Sequence, residues 1–199
     1  PLKRFLQSEL ETLIAKKIIG EDIGAISAFI LFIYTTFYSF ILKNPALFVD
    51  YEITKGKMEK YRKMLYNSFL VSADNVHARH PNHPELADMV NAPTLGGGVA
   101  VKYNANKRYA TEACSDAIFR TFADRAGVKL QSYHNRPDQI GGSTLGAITC
   151  THVSVTTIDV GIPQLAMHSS NETMAINDVC DMVKILTEFY SSATEKIGN

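Results

Sequence analysis

The chain has 199 residues, of which 46% are hydrophobic and 20% charged, so its composition excludes a protein that is disordered throughout. Lysine plus arginine equals aspartate plus glutamate, 20 against 20, which argues against a strongly basic nucleic-acid binder, and no nucleic-acid partner is expected. The 3 cysteines form no C-x-x-C pair, so they suit a reducing compartment better than a disulfide scaffold, and we expect a cytoplasmic protein.

The first part of the chain differs from the rest in composition and in its pattern of apolar residues. Residues 1–60 are expected to form a helical, apolar segment, and residues 61–199 a separate α/β unit. Apolar residues at steps of three and four predict an amphipathic helix over 2–19. Residues 23–42 then follow without a charge, and this length is about what crosses a bilayer core. Polar side chains within the run favour burial, as a helix or under another subunit, and a membrane segment is the alternative.

Short apolar runs then alternate with helical patterns, which predicts a mixed sheet flanked by helices. In chain order the predicted elements are a charged helix at 55–66, strands at 69–71 and 99–103, a helix at 111–126, a strand at 128–133, a tight loop at 141–144 leading to a short helix, a strand at 153–160 and a helix at 175–190. The residues of the last helix expected to face the core are Val179, Val183, Leu186 and Tyr190.

The loop after the first of these strands concentrates side chains that carry chemistry. Asp74, His77, His80 and His83 stand three residues apart, and His168 lies in a second polar loop after the strand at 153–160. Ligand sites of open α/β sheets collect beyond strand ends, where both loops are expected. Carboxylate oxygen and imidazole nitrogen bind zinc, but Asp74 and His168 are two donors and a zinc site needs three or four. Solvated histidines in polar loops are the alternative.

Two interpretations apply to each of two small-residue loops and to one lysine. The glycine-rich loops at 96–98 and 141–144 permit close backbone approach to a ligand, but they match no phosphate-binding fingerprint, and tight turns are the alternative. Lys102 interrupts an apolar strand. It either faces water or projects a positive charge into a pocket.

Four segments stand in one characteristic order and spacing: SFLVSADNVHARHP at 68–81, VKYNANKRYA at 101–110, GGSTLG at 141–146 and DVGIPQLAMHS at 159–169. Together they resemble the C-terminal part of the aspartyl aminopeptidase / aminopeptidase I family of zinc metallopeptidases. The resemblance covers about residues 61–190. It implies the C-terminal portion of a two-zinc aminopeptidase-like α/β fold.

The resemblance also implies roles for individual positions. Asp74 and His168 match ligands of a centre of two zinc ions. His80 matches a catalytic histidine that helps to stabilise the transition state and can be supplied across a subunit contact. The positions that match the substrate pocket are Lys102, Tyr109, Gly142, Ser143, Thr144 and Met167. Three histidines are expected outside the site, the first as a structural residue and the other two as solvent-facing ones: His77, His83 and His134.

The sequence departs from the family pattern in one respect. The family's other site residues, a His, a bridging Asp and a Glu-Glu pair that includes the general base, come earlier in the chain, and no Glu-Glu occurs here. We expect the C-terminal part of a homo-oligomeric, zinc-dependent aminopeptidase that removes N-terminal residues, acidic ones among them, from peptides with a free N-terminus. A truncated relative that acts only in folding or assembly, and a membrane-attached protein that uses residues 23–42, are the alternatives.

Overall fold

The computed structural model describes residues 28–30 and 57–192, and the described residues form an α/β fold. In chain order the elements are β1 (Ala28–Ile30), α1 (Met58–Tyr66), β2 (Phe69–His77), a short 3-10 turn (Pro84–Leu86), β3 (Val99–Tyr103), α2 (Ala113–Arg125), β4 (Leu130–His134), α3 (Leu145–Cys150), β5 (Thr156–Leu165), β6 (Thr173–Met174) and α4 (Ile176–Ser191). The predicted class, a mixed sheet flanked by helices, is confirmed.

The strands form one mixed sheet in the order β1-β2-β5-β3-β4, with β6 paired to β5 outside this path. β1, β2 and β5 run parallel to one another, and β3 and β4 form a second parallel pair. β3 is antiparallel to β5, and this pairing joins the two halves of the sheet. β5 is therefore the central strand, so its residues meet side chains from β2 on one edge and from β3 on the other.

One face of the sheet carries the hydrophobic core, and α2 and α4 cover it. The fully buried residues of this core on the strands and helices are Val71, Val99, Val101, Phe119, Ile158, Val160, Ile185 and Phe189. Side chains alternate between the two faces of a strand, so the residues between these point away from the helices. That opposite face is polar in its centre, and it carries Ser72, Asp74, Lys102 and Asp159.

The prediction of the core-facing residues of the last helix is right in part. Leu186 is buried in the core and Tyr190 packs against it, as expected, whereas Val183 is 58% exposed. Met182, Ile185 and Phe189 complete the buried face of α4. The sequence of this helix contains apolar residues on more than one face, so periodicity alone left its rotation ambiguous. Contact with α2 and the sheet selects the face that carries Phe189, and edge-to-face contacts join Phe189 to Phe69 and Phe122.

The two central parallel strands are longer than predicted. β2 extends through Asp74 to His77, and β5 extends past Val160 to Leu165, in register with Asp74 opposite Gly161 and His77 opposite Gln164. The residues in these extensions are largely polar, so local composition did not predict that they form strands. Their backbone N–H and C=O groups pair between β2 and β5. In the predicted loops these groups would have lacked such partners.

The glycine loop at 96–98 is a tight turn, as one of the two interpretations of the sequence proposed. Gly98 has a φ of +97°, and a Cβ there would lie 2.2 Å from the carbonyl oxygen of Lys129. The fully buried Asp178 carboxylate accepts hydrogen bonds from the Gly96 and Gly98 N–H groups, at 2.8 and 2.9 Å. This carboxylate anchors the turn to the beginning of α4.

Most of the apolar N-terminal part lies outside the described residues, including the predicted helix at 2–19. Within the run at 23–42 the structure describes the backbone of β1 alone, where Ala28–Ile30 pairs in parallel with β2. The helical prediction is therefore wrong for these residues, because they gain backbone partners on the open edge of β2. Among residues 57–192, no helix combines the length and the apolar character needed to cross a membrane. The division at residue 60 stays a prediction.

Candidate active site

Lys102 lies at the centre of the polar face and reaches across the sheet. It starts on β3, and its ammonium group contacts Asp74 on β2 at 3.3 Å. The intervening residue on β5 is Gly161, and a Cβ there would lie 2.8 Å from Lys102 Cε. The missing side chain at position 161 therefore opens the path by which Lys102 crosses the central strand.

The Lys102 side chain is 4% exposed, so the interpretation that it faces water is wrong. Burial lowers the pKa of its ammonium group, and the negative charges of Asp74 and Asp159 oppose that shift. The ammonium also lies 5.7 Å from the centre of the Tyr109 ring, within the range of a cation–π contact. A positive charge is thus held beneath Tyr109 with carboxylates around it.

Tyr109 is buried, and a side chain that sequence reasoning missed holds its hydroxyl. Tyr109 Oη donates to Asn135 Oδ1 at 3.2 Å, and Asn135 Nδ2 donates to Tyr133 Oη at 3.0 Å. Burial raises the pKa of the Tyr109 phenol, so the hydroxyl stays neutral at physiological pH. Asn135 follows β4 directly, and the signal that would have found it is its position beside a strand end.

The loop at 141–144 lies beside Tyr109. Ser143 Oγ donates to the carbonyl oxygen of Arg108 at 3.4 Å, next to Tyr109 in the chain. A Cβ on Gly141 would lie 2.6 Å from the Asn135 side chain, so this loop packs closely against the same amide. Thr144 is buried where α3 begins, and Gly142 is exposed. We call Lys102, Tyr109 and residues 142–144 together the wall, since the structure joins them on one face.

The second predicted region, around His168, lies beyond the end of β5. Ala166 and His168 both have positive φ values, 56° and 69°, which are uncommon for residues with a side chain. The His168 N–H donates to Glu172 Oε1 at 2.6 Å and stabilises the turn, with Met167 between the two strained residues. Strained turns of this kind concentrate at functional sites.

Electrostatics connect this turn to the end of β2. The pKa of His77 is lowered, first by burial and then by the positive charges of His168 and Lys102. His77 therefore lies between the two regions that the sequence singled out, in register with Gln164 on β5. The predicted ligands Asp74 and His168 lie on β2 and just beyond β5, but Asp74 contacts Lys102 and no direct contact joins it to His168 among the described interactions.

The loop after β2 holds His80 through local contacts. His80 Nδ1 accepts a hydrogen bond from the Asn82 N–H at 3.2 Å, and its ring lies 5.3 Å from that of His83. His83 is exposed, as expected. His134 is half-buried, and its ring stacks on that of Tyr103 with the ring centres 5.1 Å apart, so it is only partly exposed to solvent.

The described residues do not form a zinc centre by themselves. Within residues 57–192, no three His, Cys, Asp or Glu side chains are placed to hold a metal ion. Asp74 and His168 are donors of the kinds that zinc binds, but a zinc site has three or four protein ligands. One oxygen of Asp74 is, in addition, engaged by Lys102.

Comparison with known proteins identifies the family to which the chain is similar. A family profile described as aminopeptidase I zinc metalloprotease (M18) matches residues 21–190. A probable M18 family aminopeptidase 2 of Clostridium novyi (strain NT) is 38% identical over 136 residues, which are 68% of this chain and 31% of that relative. The chain therefore spans about a third of the length of that curated relative.

Solved structures agree with this comparison. A cryo-electron microscopy structure of a complex of Ape4 and Nbr1 contains a chain that is 32% identical, with a TM-score of 0.71 over 78% of this chain and 30% of that chain. The mApe1 dodecamer of S. cerevisiae is 25% identical, with a TM-score of 0.61 over 73% of this chain and 33% of that chain. The same α/β architecture is thus present in both.

Proposed function

The chain belongs to the aminopeptidase I zinc metalloprotease family, M18, and from this premise we propose that it forms the substrate-binding part of a zinc-dependent aminopeptidase. Such an enzyme removes N-terminal residues, acidic ones among them, from peptides with a free N-terminus. The observation that carries the proposal is the wall: a buried lysine, a buried tyrosine and a small-residue loop meet on one polar face. Two of the four family-like segments, 101–110 and 141–146, supply these residues.

In this proposal the wall binds and orients the peptide. Backbone at residues 142–144 approaches the peptide closely because Gly142 and Ser143 are small and exposed. The neutral Tyr109 hydroxyl is fixed by Asn135 and keeps one orientation. Lys102 supplies a positive charge that Asp74 balances in this structure. A cation bound to Asp74 would leave that positive charge to attract an acidic N-terminal side chain.

Zinc dependence requires donors beyond the described residues. We propose that Asp74 and His168 contribute two ligands to a centre of two zinc ions, and that the other ligands come from outside residues 57–192. His80 is proposed as the histidine that stabilises developing negative charge, supplied within the chain or to a neighbouring subunit. The S. cerevisiae mApe1 structure is a dodecamer, and it supports a homo-oligomer here. We also propose a cytoplasmic location, for which the three exposed and unpaired cysteines are the support.

One contact favours a second function. Asp74 already has a counter-ion in Lys102, so the pair is stable as a structural element without a metal ion. A relative with this pair would fold and assemble without cleaving peptides. The aminopeptidase and the non-catalytic alternative predict different zinc contents and different rates of peptide hydrolysis.

Zinc content per chain and hydrolysis of aspartyl and leucyl p-nitroanilides test the proposal. About two zinc ions per chain and release of nitroaniline are expected. His168→Ala should lower the zinc content, whereas His83→Ala, a matched control at an exposed loop position, should retain it. A chain that is folded, free of zinc and inactive on both compounds would contradict the proposal and support the non-catalytic alternative.

A further inference from the structure

Asp159 is a buried carboxylate that the proposed function leaves without a role. It lies on the central strand β5 with 0% of its surface exposed, and it points to the polar face. Its Oδ2 accepts the Ala110 N–H at 2.6 Å, and its own N–H donates to Thr111 Oγ1 at 3.0 Å. The Ala110 backbone and the Thr111 side chain, directly after Tyr109, are therefore each held to Asp159 by a hydrogen bond.

The same carboxylate lies beside the turn that follows residues 142–144 and acts electrostatically on Lys102. A Cβ on Gly146, in the first turn of α3, would lie 2.6 Å from Asp159 Oδ2, so the turn that follows residues 142–144 packs directly on it. The Gly146 N–H donates to Ser72 Oγ at 3.1 Å, on the residue that pairs with Asp159 across β2 and β5. The Asp159 charge also supports the positive charge of Lys102.

We propose that Asp159 is the positioning residue of the wall, which sets Tyr109, Lys102 and residues 142–144 relative to one another. This inference rests on the proposed function, because it assumes that the wall binds a peptide. A buried carboxylate suits this role, because its hydrogen bond to a backbone N–H is charge-assisted and about twice as strong as a neutral one. Asp159 Oδ1 has no hydrogen-bond partner within the described part of the chain. Hydrogen bonding there thus accounts for only one of the two buried carboxylate oxygens, and the burial of the other calls for an explanation.

Asp178 provides a matched control for the experiment. It is also 0% exposed and also accepts backbone N–H groups, but it holds Gly96 and Gly98 at the beginning of α4. Asp159→Asn and Asp178→Asn therefore remove the same charge from two equally buried sites. A loss that is merely structural should be similar in both variants.

The measurements are amide hydrogen exchange and proton shift of Ala110, and calorimetric binding of an aspartyl peptide whose first peptide bond is reduced to a methylene amine. In Asp159→Asn the Ala110 amide should exchange about tenfold faster and its proton should move upfield, because the acceptor loses its charge. Peptide affinity should fall by about three- to tenfold. Asp178→Asn should leave the Ala110 amide and peptide affinity within about twofold of the unsubstituted chain.

The outcomes of these measurements decide between the inference and its failure. An unchanged Ala110 amide in Asp159→Asn, or an equal change in both variants, would overturn the inference. Unchanged peptide affinity in Asp159→Asn, with binding intact in the unsubstituted chain, would overturn it as well. If the unsubstituted chain binds no peptide, the proposed function fails and the Ala110 amide alone decides about Asp159. If Asp159→Asn does not fold, Thr111→Val removes the hydrogen bond between the Asp159 backbone N–H and this segment. Peptide binding should weaken in the same direction, and unchanged peptide affinity in this variant would overturn the inference.

Discussion

Gly161→Ala should reveal whether Lys102 crosses the central strand where the structure places it. The added Cβ would lie 2.8 Å from Lys102 Cε, 2.9 Å from the backbone carbon of Asn75 and 3.0 Å from Val76 Cβ. The lysine is buried, with its ammonium group between Asp74 and the Tyr109 ring, and the backbone of β2 is fixed by its pairing with β5. All three contacts therefore have little room to relax.

The expected cost is about 1–3 kcal/mol of unfolding free energy, the range for an extra methyl group forced into a packed site. Loss of the ion pair adds little, below about 1 kcal/mol, because the Asp74 side chain is 59% exposed and water screens it. Urea unfolding measures this difference from the midpoint at constant slope. Gly142→Ala is the control, since nothing lies within 4 Å of its added Cβ, and it should change stability by less than about 0.5 kcal/mol.

A double-mutant cycle separates Lys102 from the backbone as the obstacle. In a Lys102→Ala background the path over Gly161 is empty, so Gly161→Ala should cost no more than about half of what it costs alone. The remaining cost comes from Asn75 and Val76. An undiminished cost in that background would show that Lys102 does not pass over Gly161, and the reasoning about the polar face would be wrong.

Three further predictions concern the core and the end of β2. Phe189→Ala should lower the free energy of unfolding by about 3–5 kcal/mol, because Phe189 is fully buried, whereas Val183→Ala on the same helix should stay within about 0.5 kcal/mol; equal effects in urea unfolding would contradict the assigned face of α4. The pKa of His77 is lowered in the folded chain, so below about pH 6.5 the unfolded chain binds more protons and the fold loses stability as the pH falls towards the folded pKa, a slope that His77→Gln should abolish. His168→Ala should raise the pKa of His77 in an NMR titration, and an unchanged pKa would show that the two rings are not neighbours.

Local patterns predicted the elements in which apolar residues recur with a regular period or form a continuous run. The helix around Phe119 and Phe122 and the strand at Val99–Tyr103 were recognisable, because periodic apolar residues report which face is buried. The extensions of β2 and β5 were not, because their residues are polar and strand formation there depends on a partner strand more than 80 positions away. Backbone pairing decides whether such segments form strands, and local composition carries no information about that pairing.

The site divides in the same way. Residue type and spacing singled out Asp74, Lys102 and His168 as carriers of chemistry, which follows from side-chain charge and hydrogen-bonding capacity alone. The folded chain decided that Lys102 is buried rather than solvated, since it lies over a glycine from another strand.

Sequence order established which functional groups the chain possesses and the class of fold that carries them, because both depend on residue chemistry and short-range periodicity. Only the tertiary structure showed that Asn135 and Asp159 hold Tyr109 and the backbone beside it. Hydrogen bonds between residues 26 and 49 positions apart exist only after the sheet has formed, and no local pattern encodes their partners.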